Sequence, residues 1–342
     1  MFHHFTAISP CSRVGRAFGS IITRSRIHTC VAPLQSRHGQ HAHSGDHHTA
    51  VKLAFNHYAP PAHHQTTTNS INNNVPLLLI HGLYGSKRNW ASIGKALAHD
   101  PTAPRHVFTL DLRNHGESPH SDTMSYSAMV SDVLRFMDDR GVSQPPVMLG
   151  HSMGGKVVMT LAMEHPDRIA APIIADMAPF DFLALPEVSE LRAIVAAMQK
   201  VDLAQATSPS EVEDQLKPTI PNTAVRKFIM TNLAPTHSEH GPRFRWLANI
   251  DVIARDFPQL AAFPHAPGLI YDGRAYFLAG SKARYVTLPA AIDAIHDLFP
   301  NNTIEYLDAG HWLHAEATTA FLAKVRGYLS AVDAREKSTL SF

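Results

Sequence analysis

Cysteine is nearly missing from this sequence of 342 residues. Cys11 and Cys30 are its two cysteines, so the rest of the chain has no thiol for a disulfide or a cysteine-ligated metal site. Long apolar runs are also lacking, since nowhere do eighteen apolar residues follow one another, and no transmembrane segment is predicted. The net charge is only +1, and lysine and arginine form no dense run. We therefore expect no nucleic-acid partner.

Acidic residues are absent from the first 45 residues, which hold five arginines and many serines and threonines. This composition is typical of a mitochondrial transit peptide. A secretory signal needs an apolar region of about 7–15 residues, and the stretch 17–22 is too short and is interrupted by glycine and serine. We expect residues 1–45 to be a mitochondrial presequence and disordered tail, and the mature protein to be in the matrix. A basic tail without a targeting role is the alternative.

Eleven of the 24 histidines lie before residue 65, among Thr, Asn, Gln and Gly. The spacing of these histidines shows no regular helical face and no paired cysteine, so a polar linker is favoured over a metal site. We expect a short strand over 51–57 and a polar loop over 65–74.

Strand and helix patterns alternate from residue 75 onward, which predicts an α/β fold with a mostly parallel central sheet flanked by helices. After a strand at 169–175 the alternation stops for about ninety residues, and helical patterns predict helices over 187–201, 208–217, 222–233 and 244–255. We expect this insertion to be a helical lid over the carboxyl ends of the strands, where ligands bind in open α/β folds. The alternative is a helical pair that extends the core away from the site.

The predicted division of the chain is 1–45 presequence and tail, 46–74 first strand and polar linker, 75–179 first part of the core, 180–265 helical lid, 266–334 second part of the core, and 335–342 tail.

Ser152 lies in the segment Gly150-His151-Ser152-Met153-Gly154, which fits the pattern G-x-S-x-G. An apolar run precedes it and a helix-compatible stretch follows it, as in a nucleophile elbow. A serine hydroxyl is a poor nucleophile unless a sharp strand-to-helix turn holds it beside a base. Ser152 is therefore the candidate nucleophile. The alternative is a glycine-rich connection with a helix-capping serine.

Three further motifs follow predicted strands as the elbow does, at residues 81–85, 111–118 and 308–312. Together the four motifs resemble the α/β-hydrolase superfamily over residues 75 to about 330. The resemblance implies a triad in the chain order nucleophile, acid, histidine, and it implies neither a metal nor an organic cofactor. A narrower resemblance is to the mitochondrial subgroup of abhydrolase-domain protein eleven, to bacterial acyl esterases of that type and to yeast ethanol acetyltransferases. It is carried by residues 111–120, 150–156, 176–179 and 244–250.

The chain order nucleophile, acid, histidine requires a histidine late in the sequence. His311 fits this requirement, because it lies in a glycine-containing turn just beyond the last predicted strand. We assign it as the general base that takes the proton of Ser152. In the superfamily, the equivalents of His81 and His151 serve packing and loop shape. The histidines that could compete with His311 are His81, His115 and His151.

The acid of the triad is not where the superfamily most often has it. That place is the turn 280–284, which has no carboxylate and two basic residues that could not orient an imidazole. Asp176 ends the strand next to that of the nucleophile, at the carboxyl edge of the sheet, and we predict that it is the acid. The narrower resemblance implies the same displacement. The alternatives are a capping or loop-bracing role for Asp176, with Asp111 or Asp308 as the acid.

Two backbone N–H groups, those of Leu83 and Met153, are expected to form the oxyanion hole. The predicted reaction is serine-dependent acyl transfer through an acyl-enzyme, with small or medium acyl esters or thioesters as substrates. Water as the second nucleophile makes the protein an esterase or thioesterase. A small alcohol makes it an alcohol O-acetyltransferase that forms ethyl acetate from acetyl-CoA and ethanol. A third possibility is a non-catalytic mitochondrial binding partner with this fold.

Overall fold

The structure, a computed structural model, describes residues 49–61, 74–236, 241–264 and 268–339. The predicted presequence and nearly all of the predicted polar loop lie outside the described residues. Seven strands form one sheet in the described ranges, in the spatial order β1-β3-β2-β4-β5-β8-β9. They are β1 (Phe55–Tyr58), β2 (Leu77–Ile80), β3 (Val107–Leu110), β4 (Val147–His151), β5 (Ala171–Ala175), β8 (Ala275–Gly280) and β9 (Asn302–Leu307).

All neighbours in this sheet are parallel except β1 and β3, which confirms the predicted α/β class. The strand predicted over 51–57 is displaced and begins only at Phe55. The reason is that the preceding backbone donors bind side chains instead of a strand: Val51 N–H donates to Asp132 and Ala54 N–H to Ser118.

Helices cover both faces of the sheet, so its central strands are buried on both sides and are apolar at nearly every position. Along β2, Leu78 and Ile80 belong to one hydrophobic core, whereas Leu77 and Leu79 belong to the other. The helices of the sheet domain are α1 (Ala91–Ala98), α2 (Tyr126–Asp139), α3 (Met153–Glu164), α8 (Pro289–Leu298), α9 (Leu313–Glu316) and α10 (Thr318–Thr339).

The insertion between β5 and β8 contains α4 (Pro186–Lys200), α5 (Pro209–Leu216), α6 (Thr223–Met230) and α7 (Ile250–Ala261). The expectation of helices alone is wrong, because β6 (Leu233–Pro235) and β7 (Phe244–Trp246) form an antiparallel pair. The helix predicted over 244–255 therefore begins only at Ile250. Leu247 N–H donates to the carbonyl of Asn232, which continues the pairing beyond β7 and keeps this backbone out of a helix. None of the helices in the described ranges has the length and apolar character needed to span a bilayer.

Candidate active site

Ser152 occupies the turn between β4 and α3 with a positive φ of 54° and ψ of −119°. This strained conformation lifts the side chain out of the strand and is frequent at functional sites. The turn can be so tight because of two glycines. A Cβ on Gly150 would lie 2.2 Å from the carbonyl oxygen of Gly154, and a Cβ on Gly154 would lie 2.6 Å from the carbonyl oxygen of Ile80.

A continuous chain of hydrogen bonds joins the three residues of the predicted triad. Nε2 of His311 lies 3.0 Å from Oγ of Ser152, and Nδ1 of His311 lies 2.7 Å from Oδ2 of Asp176. Because a carboxylate can only accept, Nδ1 carries the proton and Nε2 is left to accept from the serine hydroxyl. Asp176 is fully buried, whereas 22% of the His311 side chain is exposed. The arrangement can therefore remove a proton from Ser152 at a position that a substrate can reach.

Asp176 is held at the carboxyl edge of the sheet by its own backbone and by the neighbouring strand. Its φ is 50°, and its N–H donates to the carbonyl of Leu278, at 3.0 Å. Its second carboxylate oxygen accepts from Gly280 N–H at 2.8 Å. Gly280, the last residue of β8 and the first of the turn 280–284 that lacks a carboxylate, thus supplies a donor that orients the carboxylate of Asp176.

The two alternative acids are engaged elsewhere. Asp111 accepts from the backbone and the ammonium of Lys87, at 2.6 and 2.7 Å, and from Glu117 N–H, at 2.8 Å. It therefore braces the loop that follows β3. Asp308 is 84% exposed and pairs with Lys282.

His81 and His115, two of the competing histidines, act as acceptors for backbone groups. Nε2 of His81 accepts from Leu112 N–H at 3.0 Å, and Nε2 of His115 accepts from Tyr84 N–H at 3.2 Å. Each Nδ1 lies within hydrogen-bonding distance of a backbone carbonyl oxygen, so both rings are neutral. Burial lowers the pKa of both, that of His115 to about 3. Both rings therefore shape the loops around the site.

His151, the third competitor, contacts the predicted base instead of replacing it. Its Nε2 donates to the backbone carbonyl of His311 at 2.9 Å, and the two ring centroids are 4.7 Å apart. Burial lowers the pKa of His151 well below its usual value, which keeps the ring neutral. On the other side, the ring of Tyr285 lies 4.4 Å from that of His311. Sequence reasoning missed Tyr285, because no motif marks a residue that acts by packing.

Leu83 and Met153, the predicted oxyanion donors, both belong to segments beside Ser152. Met153 is the first residue of α3, where backbone N–H groups and the helix dipole favour negative charge. Leu83 lies in a turn closed by Gly85 N–H donating to Gly82 O at 2.9 Å. A Cβ on Gly82 would lie 3.1 Å from Cβ of Ser152, so this turn packs directly against the nucleophile.

Two cavities open at Ser152. The larger, of about 190 Å³, is bordered by His311 and by lid residues that include Leu191 of α4 and Phe228 of α6. The smaller, of about 40 Å³, is bordered by Met153 and by residues of α7. The insertion thus covers the carboxyl ends of the strands. Among the described residues, no cluster of histidine, cysteine and acidic side chains could hold a metal ion.

Comparisons with known proteins are consistent with this geometry. The sequence profile of the family described as alpha/beta hydrolase fold matches residues 75–318. The sn-1-specific diacylglycerol lipase ABHD11 of Xenopus tropicalis is 37% identical over 261 residues, which are 75% of this chain and 78% of the lipase. Esterase YbfF of Escherichia coli is 30% identical over 267 residues, 78% of this chain and 97% of the esterase.

A more distant relative is ethanol acetyltransferase 1 of Wickerhamomyces anomalus, which is 25% identical over 302 residues, 82% of this chain and 75% of the transferase. Among solved structures, a marine microorganism esterase superposes with a TM-score of 0.71 at 31% identity. The match covers 81% of this chain and 99% of the esterase. The chain therefore resembles enzymes that are named for ester chemistry.

Proposed function

The chain belongs to the alpha/beta hydrolase family, and within it we propose an enzyme that transfers acyl groups through an ester formed on Ser152. The observation that carries this proposal is the hydrogen-bond chain from Ser152 through His311 to Asp176. The relatives named above as lipase, esterase and acetyltransferase make the non-catalytic alternative unnecessary.

In the first half of the reaction, Oγ of Ser152 attacks the carbonyl carbon of an ester or thioester. The serine proton passes to Nε2 of His311, and the resulting imidazolium is stabilised by the carboxylate of Asp176. The carbonyl oxygen becomes an oxyanion that accepts from the N–H groups of Leu83 and Met153, which contribute roughly 3 kcal/mol each to the transition state. The oxyanion then collapses, the bond to the leaving group breaks, and the leaving group takes the proton from His311.

In the second half, an acceptor resolves the acyl-enzyme. His311 removes a proton from the acceptor as it attacks the ester carbonyl, and Ser152 leaves with that proton. With water the product is a carboxylic acid, and the protein hydrolyses small or medium acyl esters or thioesters. This reading is favoured by the identity of the relatives, because the lipase and the esterase are closer in sequence than the acetyltransferase.

The second candidate is an alcohol O-acetyltransferase that makes ethyl acetate from acetyl-CoA and ethanol. The acetyltransferase relative and the apolar lid side chains around the larger cavity, among them Leu191, Ile194 and Phe228, favour it. An apolar cavity lowers the local concentration of water relative to a small alcohol. Incubation with acetyl-CoA and ethanol distinguishes the two candidates. Ethyl acetate supports the transferase, whereas acetate and free CoA alone contradict it.

Covalent labelling tests the acyl-enzyme itself. A fluorophosphonate probe should label the purified wild-type protein on Ser152, as read by peptide mass spectrometry, and should not label Ser152→Ala. His311→Gln should label at least about a hundredfold more slowly, because the serine loses its base. A folded wild-type protein that does not react at Ser152 would contradict the proposal.

A further inference from the structure

The two cavities at Ser152 are bordered by different parts of the catalytic machinery. His311 borders the larger cavity, together with His151 and Trp312. Met153, which supplies one of the proposed oxyanion donors, borders the smaller cavity, together with Lys156. Ser152 and Leu83 border both, as do Leu191 and Tyr285, so the two cavities adjoin each other. A substrate whose carbonyl lies at Ser152 therefore has two different spaces for its two halves.

The path of the proton decides which half lies in which cavity. The leaving group must take its proton from Nε2 of His311, so the leaving group lies on the side of that ring, in the larger cavity. The acyl chain is attached to the opposite side of the carbonyl carbon. It therefore points into the smaller cavity, away from His311.

The smaller cavity limits the length of that chain. Its volume of about 40 Å³ is about a fifth of the 190 Å³ of the larger cavity, so it is the tighter of the two spaces. Side chains of α7, Phe257 and Leu260, which are 3% and 6% exposed, form part of its wall. The position of α7 therefore sets how much space this cavity offers to an acyl chain.

Two side chains of the sheet domain hold the end of α7 in place. The ammonium of Lys156, in the helix that follows the nucleophile, donates to the carbonyls of Leu260, Ala261 and Ala262, at 3.3, 2.7 and 2.8 Å. The hydroxyl of Tyr126 donates to the same carbonyl of Leu260 at 2.6 Å. The carbonyls at the end of a helix lack partners within the helix, and a cation is favoured there.

Packing alone does not require a charge at this position. Lys156 is 2% exposed, and its ammonium lies over the rings of Tyr126 and Phe182. Burial lowers the pKa of Lys156 to about 7, against the opposing effect of the carboxylate of Asp181. A methionine would fill the same space without the cost of burying an ammonium. The charge therefore indicates a positioning role for Lys156 at the wall of the cavity.

We propose that the smaller cavity is the acyl site, that Lys156 keeps it small by holding the end of α7, and that the enzyme therefore prefers short acyl chains. This inference rests on the proposed acyl-enzyme at Ser152 and adds the substrate class. The preference for short chains follows from the small volume of the cavity. Its dependence on Lys156 follows from the hydrogen bonds to the last two residues of α7 and to Ala262, which follows them.

A series of p-nitrophenyl esters with one leaving group and acyl chains from acetyl to octanoyl tests the cavity. For the wild type, kcat/KM should be highest between acetyl and butanoyl and should fall at least about tenfold from butanoyl to octanoyl, because a group that does not fit lowers kcat/KM by about that factor. Equal values for butanoyl and octanoyl would overturn the proposal.

Two isomeric side chains of α7 provide a matched pair of variants. Leu260→Ala enlarges the cavity and should raise the octanoyl-to-butanoyl ratio of kcat/KM about tenfold. Ile253→Ala removes the same number of carbon atoms from a residue of α7 that is fully buried but borders neither cavity. It should leave the ratio within about twofold of the wild type. Equal shifts in both variants would overturn the acyl site.

Lys156→Met tests the fastening of α7, with Tyr126→Phe as the milder variant that removes one hydroxyl. Both should raise the octanoyl-to-butanoyl ratio, and the methionine variant should raise it more. A uniform loss of kcat/KM at all chain lengths would mean that Lys156 only supports the fold, and would overturn its role. The absence of Ser152 labelling and of turnover with every ester would instead overturn the proposed function and this inference with it.

Discussion

The carboxylate of Asp176 lies 2.7 Å from the imidazole of His311, although 135 residues separate the two in the chain. Asp176 follows β5 and His311 follows β9, and β8 pairs in parallel with both strands. The carboxyl ends of all three strands therefore meet at one edge of the sheet. This edge brings together an acid that precedes the lid insertion in the chain and a base that follows it.

Asp176→Asn should reduce kcat about 10⁴-fold, as the loss of a triad aspartate does in a serine protease. The amide keeps an acceptor for Gly280 N–H but does not stabilise the imidazolium of His311. Ester hydrolysis and a melting curve measure activity and folding together. Asp308→Asn is the matched control, because Asp308 is exposed and pairs with Lys282. A folded Asp176→Asn enzyme with near-wild-type turnover would remove Asp176 from the mechanism.

Asp132→Asn should lower the free energy of unfolding by about 3–5 kcal/mol, because it leaves a buried arginine without a counter-charge. Asp132 and Arg113 are fully buried and share two hydrogen bonds, at 2.6 and 2.7 Å. Urea unfolding of the purified protein measures the loss. Asp138→Asn, in the exposed ion pair with Arg168, should lose less than about 1 kcal/mol. A similar loss of unfolding free energy in both variants would contradict the prediction that the buried ion pair stabilises the fold more than the exposed one.

Acid should destabilise the fold through its buried histidines. Burial lowers the pKa of His115 from 6.5 to about 3. Between these pH values His115 binds a proton in the unfolded chain but not in the folded chain. The contribution of His115 to stability is present above pH 6.5 and is lost as the pH falls from 6.5 toward 3. The expected loss is about 1.4 kcal/mol per pH unit for each such histidine.

His115→Gln tests this linkage, because the glutamine oxygen can still accept from Tyr84 N–H. Between pH 6 and pH 4.5, the free energy of unfolding should fall less steeply with pH in the variant than in the wild type. The difference in slope should correspond to the uptake of about one proton fewer on unfolding. His99→Gln, at an exposed position, is the control and should keep the wild-type slope. An unchanged slope in His115→Gln would contradict the account of His115 as a neutral acceptor.

The first 45 residues, which lie outside the described residues, are proposed to direct the protein to the mitochondrial matrix. Fused to a fluorescent protein, they should bring it into mitochondria. The same fusion with its five arginines replaced by glutamine should remain outside, because import of a transit peptide depends on its positive charge. Diffuse fluorescence of the unmodified fusion would contradict the proposal.

The family and the order of strands and helices could be predicted because their signals are local. G-x-S-x-G has to be glycine-rich for contacts within a few residues, such as that between Gly150 and Gly154. The alternation of apolar strands and amphipathic helices likewise reflects burial of each element on its own. The hairpin of β6 and β7 was missed, because each strand is three residues long and pairing partners are not visible in a short pattern.

The candidate site was predicted less directly. Asp176 was chosen because the turn 280–284 has no carboxylate, and its catalytic role stays a prediction although the structure brings it to His311. The packing of Tyr285 on His311 has no sequence signal. The same holds for the hydrogen bonds of Lys156 to the end of α7, because their acceptors lie 104 to 106 residues away in the chain.

By itself, the sequence determined that a serine lies in a glycine-rich turn between a strand and a helix, because the strand, the turn and the helix are adjacent in the chain. Only the tertiary structure decided which carboxylate and which imidazole meet that serine, and how much space lies beside it. Those relationships depend on where the ends of β5, β8 and β9 meet and on how α7 packs against the sheet domain. Both involve contacts between distant parts of the chain. Such contacts are set by the packing of the whole sheet and lid.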